Sequence, residues 1–186
     1  SASRNVARTL RAMYNYAVNE GAAGMTQPPF KVSVAKPKHR ADSEIPTPAE
    51  VTLISQNMPE ETRLAPLLAA VCALRPAEVL GLQRRDFKGL DTGKPTLTVS
   101  RQWAQKTKPP SYQPPKYDSV RTVAIPAFLV PQIKEHLAVF VSAGLQSPVF
   151  VSPVDPQKPI SGTSYLKVWN QAIEAAGTPS YVQHSL

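Results

Sequence analysis

The sequence predicts an α+β fold that is mainly helical and contains a small antiparallel sheet of about three strands. Residues 64–74 are almost entirely apolar, which is typical of a core helix. Residues 96–103 and 120–125 alternate apolar and polar side chains and are rich in strand-forming residues. Helical periodicity returns in residues 127–143 and 163–176. We therefore expect a sheet that starts near Asp86, with helices before and after it.

The composition limits the class of protein. The chain has 186 residues, 42% of them hydrophobic, which is enough for one good-sized domain plus a fragment. No apolar run approaches the length of a membrane span, and no signal-peptide pattern is present. The lone Cys72 excludes disulfides and cysteine-based metal sites and favours a reducing cytoplasm. A formal net charge of +8 favours a nucleic-acid partner, although such charge can also serve solubility alone.

Residues 4–20 predict an amphipathic helix that Ser3 caps and Gly21 ends. It carries an apolar stripe of Val6, Leu10, Met13 and Ala17. It also carries a basic stripe of Arg4, Arg8 and Arg11, which is either a DNA contact or a solvated face. We expect this helix to be the tail end of a domain.

Residues 26–45 predict a basic, proline-stiffened linker that can follow a phosphate backbone. Its cations are Lys36, Lys38 and Arg40. A capping box at residues 47–50 then starts a second domain near residue 46. Helices are expected at about 48–57 and 60–73, and a short one begins at Pro76.

Arg75 is predicted to lie at the break between two helices. A residue before proline is pushed out of the α conformation, and Pro76 suits the first position of a helix. Backbone N–H groups at that helix start would then point into the same space as the guanidinium. The two together would form an anion site that matches phosphate. The alternative is an Arg75–Glu78 pair that only ties the helix start.

Three segments carry a family resemblance. Residues 74–82, followed by Asp86 and Phe87, resemble the first arginine box of the tyrosine recombinases, or phage integrases, with Ala73 where the family has glycine. Residues 116–126 resemble the segment in which the family's lysine precedes a strand, so Lys116 takes that place. Lys106 and Lys108 compete for this role, and a solvated loop lysine is the plain alternative.

The end of the chain gives the third point. Residues 182–186 resemble the start of the family's His-x-x-Arg box at His184, although a terminal histidine alone would mean little. In the family pattern the second arginine would follow Leu186, and the nucleophilic tyrosine would lie further on. Tyr181 precedes the box and is not that residue.

The resemblance implies a fold, a reaction and partners. Residues 1–25 would be the last helix of a core-binding domain, 26–45 the linker, and 46–186 a C-terminally incomplete catalytic domain. The reaction would be site-specific recombination for integration or excision of a phage or other mobile element. In it, a tyrosine becomes bonded to the 3′ phosphate of DNA and the 5′ oxygen leaves.

The resemblance also assigns roles to residues. Arg75 would neutralise the phosphoryl transition state, Lys116 would protonate the leaving oxygen, and His184 would hydrogen-bond the phosphate or assist proton transfer. No metal or other cofactor is expected. The partners would be double-stranded attachment-site DNA and further copies in a homotetramer, at the bacterial nucleoid and without a membrane. The 186-residue chain itself is expected to be inactive, because the nucleophile is missing.

We expect the DNA backbone to be contacted by the basic residues of the first helix, the linker and the segment before Lys116, which are Arg4, Arg8, Arg11, Lys36, Lys38, Arg40, Lys106 and Lys108. Two other readings remain open. One is a non-catalytic DNA-binding module on the same scaffold. The other is a helical protein-interaction domain whose charge is incidental.

Overall fold

The computed structural model describes residues 2–21, 24–27, 45–183 and 186, with side chains from residue 5 onward. The chain divides into two compact units, Ser1–Arg40 and Ala41–Leu186. The division falls inside the predicted linker 26–45, of which residues 28–44 lie outside the described residues. The assignment of the two units to named domains stays a prediction.

The first unit contains helix α1, Ala2–Asn19. The chain leaves the helix through Gly21, whose positive φ of 64° suits a residue without a Cβ. Val6 and Met13 of the predicted apolar stripe are 58% and 61% exposed. This stripe is therefore largely open to solvent in the described part of the chain.

From residue 45 onward, where its description starts, the second unit first shows three helices. Helix α2, Pro48–Gln56, starts at the predicted capping box, in which the Glu50 carboxylate accepts the Thr47 N–H at 2.7 Å and the Glu50 N–H donates to Thr47 Oγ1. Helix α3, Leu64–Cys72, is shorter than the predicted span 60–73, because the chain before it turns with Thr62 bonded back to Pro59. Helix α4, Pro76–Leu80, has only five residues.

In the described part of the chain, five strands form two small sheets. Strands β1, Phe87–Lys88, β2, Thr96–Val99, and β5, Arg121–Ala124, form the predicted three-stranded antiparallel sheet in the order β1-β2-β5. Strands β3, Gln102–Ala104, and β4, Ser111–Gln113, form a separate hairpin. The prediction of one continuous strand over residues 96–103 is therefore wrong. Between the two pieces, Arg101 leaves the ladder and pairs with the buried Asp86 at 2.6 Å.

Two further helices follow in the described residues of the second unit. A 3₁₀ turn, Ala127–Leu129, leads into α5, Val130–Val139, and Ser161 caps α6, Gly162–Ala176. The first turn of the span predicted from 127 is therefore not α-helical. The Arg84 guanidinium donates to the carbonyls of Ser142 at 2.8 Å and Val141 at 2.6 Å, and also to that of Leu137, so it closes the end of α5.

One apolar core joins the helices of the second unit to its sheet. Its fully buried side chains include Ile54, Leu68, Leu97, Ile133 and Trp169. Cys72 is buried there, as the sequence predicts.

Two large apolar side chains near these last two helices lie outside the core. Phe128 is 65% exposed because it lies in the 3₁₀ turn, and Leu166 is 46% exposed on the outer side of α6. None of the described helices is both long and apolar enough to cross a membrane.

Candidate functional site

A tight reversal between α3 and α4 positions Arg75. Ala73 ends α3 in the left-handed conformation, with φ 51° and ψ 51°. Arg75 then follows in an extended conformation and precedes Pro76, the first residue of α4. Arg75 therefore stands at the helix junction that the sequence predicts.

A buried carboxylate holds the Arg75 side chain. Glu78 is fully buried, and its Oε1 accepts a hydrogen bond from Arg75 Nη1 at 2.9 Å while its Oε2 accepts the Arg75 backbone N–H at 2.9 Å. Burial alone would raise the pKa of Glu78. The hydrogen bonds from Arg121 and Arg75 outweigh it, so the pKa lies below its ordinary value. Glu78 is therefore an anion that orients Arg75.

Arg121 of β5 is the second partner of Glu78, and it is not among the site residues predicted from the sequence. Its Nη2 donates to Glu78 Oε2 at 2.8 Å and to the carbonyl of Ala73 at 2.9 Å. The bond to Glu78 raises the pKa of Arg121 above its ordinary value. A signal was present in the sequence, because Arg121 shares a strand face with Val123 and Ile125. A charge on a face that points inward indicates a buried partner.

Arg75 and Arg121 both line an open cavity of about 390 Å³. The other lining residues are Ala73, Leu74, Pro76, Ser119 and Leu186. The Arg75 side chain is 45% exposed and that of Arg121 is 29% exposed, so neither is sealed in the core. Two guanidinium groups share one buried carboxylate, which leaves the cavity with an excess of positive charge. Such a site attracts an anion and offers it planar N–H donors.

The expected contribution of the α4 N-terminus is not supported by the geometry. Helix α4 has five residues, and the Arg75 N–H at its start already donates to Glu78. A helix this short has little dipole, and its first donor is occupied. The attraction for an anion therefore comes from the guanidinium groups.

Lys116 opens a turn that reaches the same cavity. In this turn, Ser119 Oγ donates to the Lys116 carbonyl at 3.0 Å, and Arg75 Nη1 donates to Ser119 Oγ at 3.4 Å. A single hydroxyl therefore connects the backbone of Lys116 to the guanidinium of Arg75. The Lys116 side chain is exposed, and its Nζ lies 4.9 Å from the centre of the Tyr117 ring.

Proteins named as integrases or recombinases are similar in sequence to this chain. Two Mycobacterium tuberculosis proteins, from strains CDC 1551 and H37Rv, are each named as a prophage phiRv2 integrase and are 30% identical over 160 residues, which is 85% of this chain. A tyrosine recombinase XerC-like protein of Caldanaerobacter subterraneus subsp. tengcongensis is 27% identical over 203 aligned positions, which cover 95% of this chain. No protein-family model matches the chain.

Solved structures share the fold. The Tn1549 transposon integrase in complex with transposon right end DNA superposes with a TM-score of 0.76 at 16% identity over 97% of this chain. Its complex with a circular intermediate DNA gives a TM-score of 0.73 at the same identity and coverage. The chain belongs to the tyrosine recombinase and integrase family.

This recombinase chain spans only part of its relatives. It covers 42% of the length of the phiRv2 integrases, 51% of the XerC-like protein and 62% of the Tn1549 integrase chain. The activity and partners of a whole recombinase are therefore proposals for this chain.

The other lysines considered for the recombinase site lie at the tip of the β3–β4 hairpin. Lys106 and Lys108 are exposed there, and Thr107 between them bonds to the Ala104 carbonyl at 2.8 Å. Among the described hydrogen bonds, none joins these two lysines to Arg75. In the described part of the chain, the backbone of Lys116 is thus connected to Arg75 through Ser119, and the hairpin lysines are not.

Several predicted recombinase residues lie outside what the structure describes. These are His184, Lys36, Lys38 and Arg40, together with the side chain of Arg4. Arg8 and Arg11 are exposed on α1 in the first unit. In the described part of the chain, no group of three or more histidine, cysteine or acidic residues is arranged to hold a metal ion.

Proposed function

We propose that this chain provides the core of a site-specific DNA recombinase that integrates or excises a phage or other mobile element. The observation that carries the proposal is the cavity in which a half-exposed Arg75 is oriented by the buried Glu78. Phosphoryl transfer needs fixed cations around the reacting phosphate, and this cavity offers them. The names of the prophage and XerC-like relatives agree with this reaction.

In the proposed reaction, a tyrosine oxygen attacks a DNA phosphorus atom and forms a 3′-phosphotyrosine bond while the bond to the 5′ oxygen breaks. Arg75 stabilises the negative charge that develops on the non-bridging oxygens. Lys116 donates a proton to the departing 5′ oxygen, and His184 hydrogen-bonds the phosphate or assists proton transfer. The reverse attack by a 5′ hydroxyl of the partner strand restores the phosphodiester and releases the tyrosine.

The proposal extends to domains and partners. Residues 1–25 would end a core-binding domain, 26–45 would link it, and 46–186 would form most of the catalytic domain, with the second arginine and the tyrosine beyond Leu186. The substrate would be double-stranded attachment-site DNA bound by four copies, and DNA as substrate would place the protein at the nucleoid. The solved Tn1549 integrase complexes contain DNA, which favours this partner.

The proposed DNA-contacting residues act through charge on the phosphate backbone. Lys106 and Lys108 project from the β3–β4 hairpin, and Arg8 and Arg11 lie on one side of α1. Arg4, Lys36, Lys38 and Arg40 complete the proposed set. Contacts of this kind carry little sequence information, so binding should weaken about equally on different DNA sequences when they are removed.

The proposal is tested by covalent capture on DNA. The product of the complete reading frame that contains these residues is incubated with a nicked suicide duplex of its attachment site, found by sequencing DNA captured on the protein. We expect a protein–DNA band that resists denaturant. Binding without such a band would support the non-catalytic module instead, and absence of salt-dependent DNA binding would refute both.

The 186-residue chain gives a second arm of this experiment. We expect it to bind the duplex and to form no covalent band, because the family pattern places the nucleophile after His184. A resistant band from this chain would show that one of its own tyrosines attacks, with Tyr112, Tyr117, Tyr165 and Tyr181 as candidates. The proposed position of the nucleophile would then be wrong.

A further inference from the structure

Tyr117 adopts an unusual conformation beside Lys116. The residue is 82% exposed, and its backbone is left-handed, with φ 62° and ψ 29°. Asp118 follows with φ 49°. A bulky residue is disfavoured in this region, whereas aspartate tolerates it. An exposed aromatic ring on a strained backbone contributes neither to the core nor to an easy turn, so its presence needs another reason.

The backbone bonds of the turn do not require the ring. The Asp118 N–H donates to the Pro115 carbonyl at 3.0 Å, and Ser119 Oγ donates to the Lys116 carbonyl at 3.0 Å. Glycine at position 117 would allow the same bonds with less strain. The tyrosine is therefore explained by what its ring contacts.

The ring contacts the ammonium group of Lys116. Lys116 Nζ lies 4.9 Å from the ring centre, within the range of a cation–π interaction. A lysine side chain is long and flexible, and it loses conformational freedom when it is held in one place. The Lys116 backbone is already connected through Ser119 to Arg75, so the side chain is the remaining free part, and the ring contacts its end.

We propose that Tyr117 is a positioning residue that holds the Lys116 ammonium near the departing 5′ oxygen. This inference rests on the proposed function, since it matters only if Lys116 donates a proton to DNA. The ring does not itself exchange a proton. It limits the positions that Nζ can occupy, and it does so more strongly when bound DNA excludes water.

The experiment measures single-turnover DNA cleavage by the protein encoded by the complete reading frame. It compares the wild type with the variants Tyr117→Ala, Tyr117→Gly, Tyr117→Phe and Lys116→Ala. Each acts on a normal phosphodiester and on a duplex with a 5′-bridging sulfur, whose thiolate leaves without a proton. We expect Tyr117→Ala and Tyr117→Gly to be roughly 2- to 30-fold slower on the normal duplex, the range of an exposed to a desolvated cation–π contact. Both should recover on the sulfur duplex, as Lys116→Ala does, and Tyr117→Phe should stay near the wild-type rate.

The results distinguish a wrong role for Lys116 from a wrong role for Tyr117. If Lys116→Ala is slow and does not recover on the sulfur duplex, the proposed role of Lys116 fails. If Lys116→Ala recovers but the two Tyr117 variants stay slow on both duplexes, or lose nothing on the normal one, the inference about Tyr117 is overturned. A normal rate for Tyr117→Gly with a slow Tyr117→Ala would assign the effect to backbone strain and also overturn it. Phe128→Ala, which removes another exposed ring, is the control and should cleave both duplexes normally.

Discussion

Replacing Glu78 with glutamine tests whether one buried carboxylate holds both arginines of the cavity. The side chain keeps its shape but loses its charge, and one oxygen becomes an NH₂ group. Among the described residues, Glu78 accepts four hydrogen bonds, two from Arg75 at 2.9 Å and two from Arg121 at 2.8 and 3.3 Å. An NH₂ group cannot accept hydrogen bonds, so the two bonds at that oxygen are lost, and the N–H groups of the arginines then face another donor.

The magnitude follows from those bonds. A hydrogen bond to a charged group contributes about 1.5–3 kcal/mol. The lower value applies here, because Arg75 and Arg121 are 45% and 29% exposed and can turn to water. Two lost bonds give a decrease in the free energy of unfolding of about 3 kcal/mol. For a chain of this size that corresponds to a fall in Tm of roughly 6–12 °C.

The assay is urea and thermal unfolding of the 186-residue chain at several pH values. The pKa of Glu78 is lowered by folding from its ordinary 4.5, so its stabilisation is complete above that value and is lost as the pH falls through the folded pKa. The difference between wild type and Glu78→Gln should therefore be largest at neutral pH and shrink in acid. The matched control is Glu60→Gln, an exposed partner of Arg63 at 3.9 Å, which should change stability by less than about 0.5 kcal/mol. A Glu78→Gln chain as stable as wild type at neutral pH would refute the reasoning.

Three further predictions follow from particular residues. Ala73→Gly should raise the free energy of unfolding by about 1 kcal/mol, because position 73 has a φ of 51°; an unchanged or lower urea midpoint would contradict this. Burial lowers the pKa of His136 below 6.5, so stability should fall as the pH drops below that value, by up to about 1.4 kcal/mol per pH unit. His136→Gln should flatten that dependence, and an equally steep curve would disprove the assignment. The logarithm of DNA affinity falls linearly with the logarithm of salt concentration, and replacing Lys106 and Lys108 by alanine should make that slope less steep by about 2. The control is Lys158→Ala, whose lysine pairs with an aspartate at 2.7 Å, and it should leave the slope unchanged. Equal slopes for both variants would show that the hairpin is not part of the DNA interface.

Features that depend on residues close together in the sequence could be predicted. The proline after Arg75 and the capping box at Thr47 act over a few residues, and both appear as predicted. The three-stranded sheet was also predictable, because alternation along residues 96–99 and 120–125 reports which side faces the core.

Contacts between distant segments were not predictable in this way. Arg101 lies in a run that alternates like a strand, but its pair with Asp86 ends β2 and starts the β3–β4 hairpin. The bonds of Arg121 to Glu78 and Ala73 join residues more than 40 positions apart, so no spacing rule covers them. Position 73 lies between these two cases, because it was partly predictable. The resemblance marks it as a glycine site, and the left-handed backbone explains that preference, although alanine occupies it here.

The central claim is that Arg75 neutralises the charge of a DNA phosphate during cleavage. The most direct measurement compares Arg75→Ala on two suicide duplexes, one with a normal scissile phosphate and one with an uncharged methylphosphonate at that position, using the complete reading-frame product. Loss of a transition-state donor of this kind costs about 10²–10³-fold in rate. Arg63→Ala removes an arginine of similar exposure, 47% against 45%, outside this cavity and serves as the control. We expect Arg75→Ala to be slow on phosphate and to regain most of its rate on the methylphosphonate. An Arg75→Ala protein that is equally slow on both duplexes, or normal on phosphate, would contradict it.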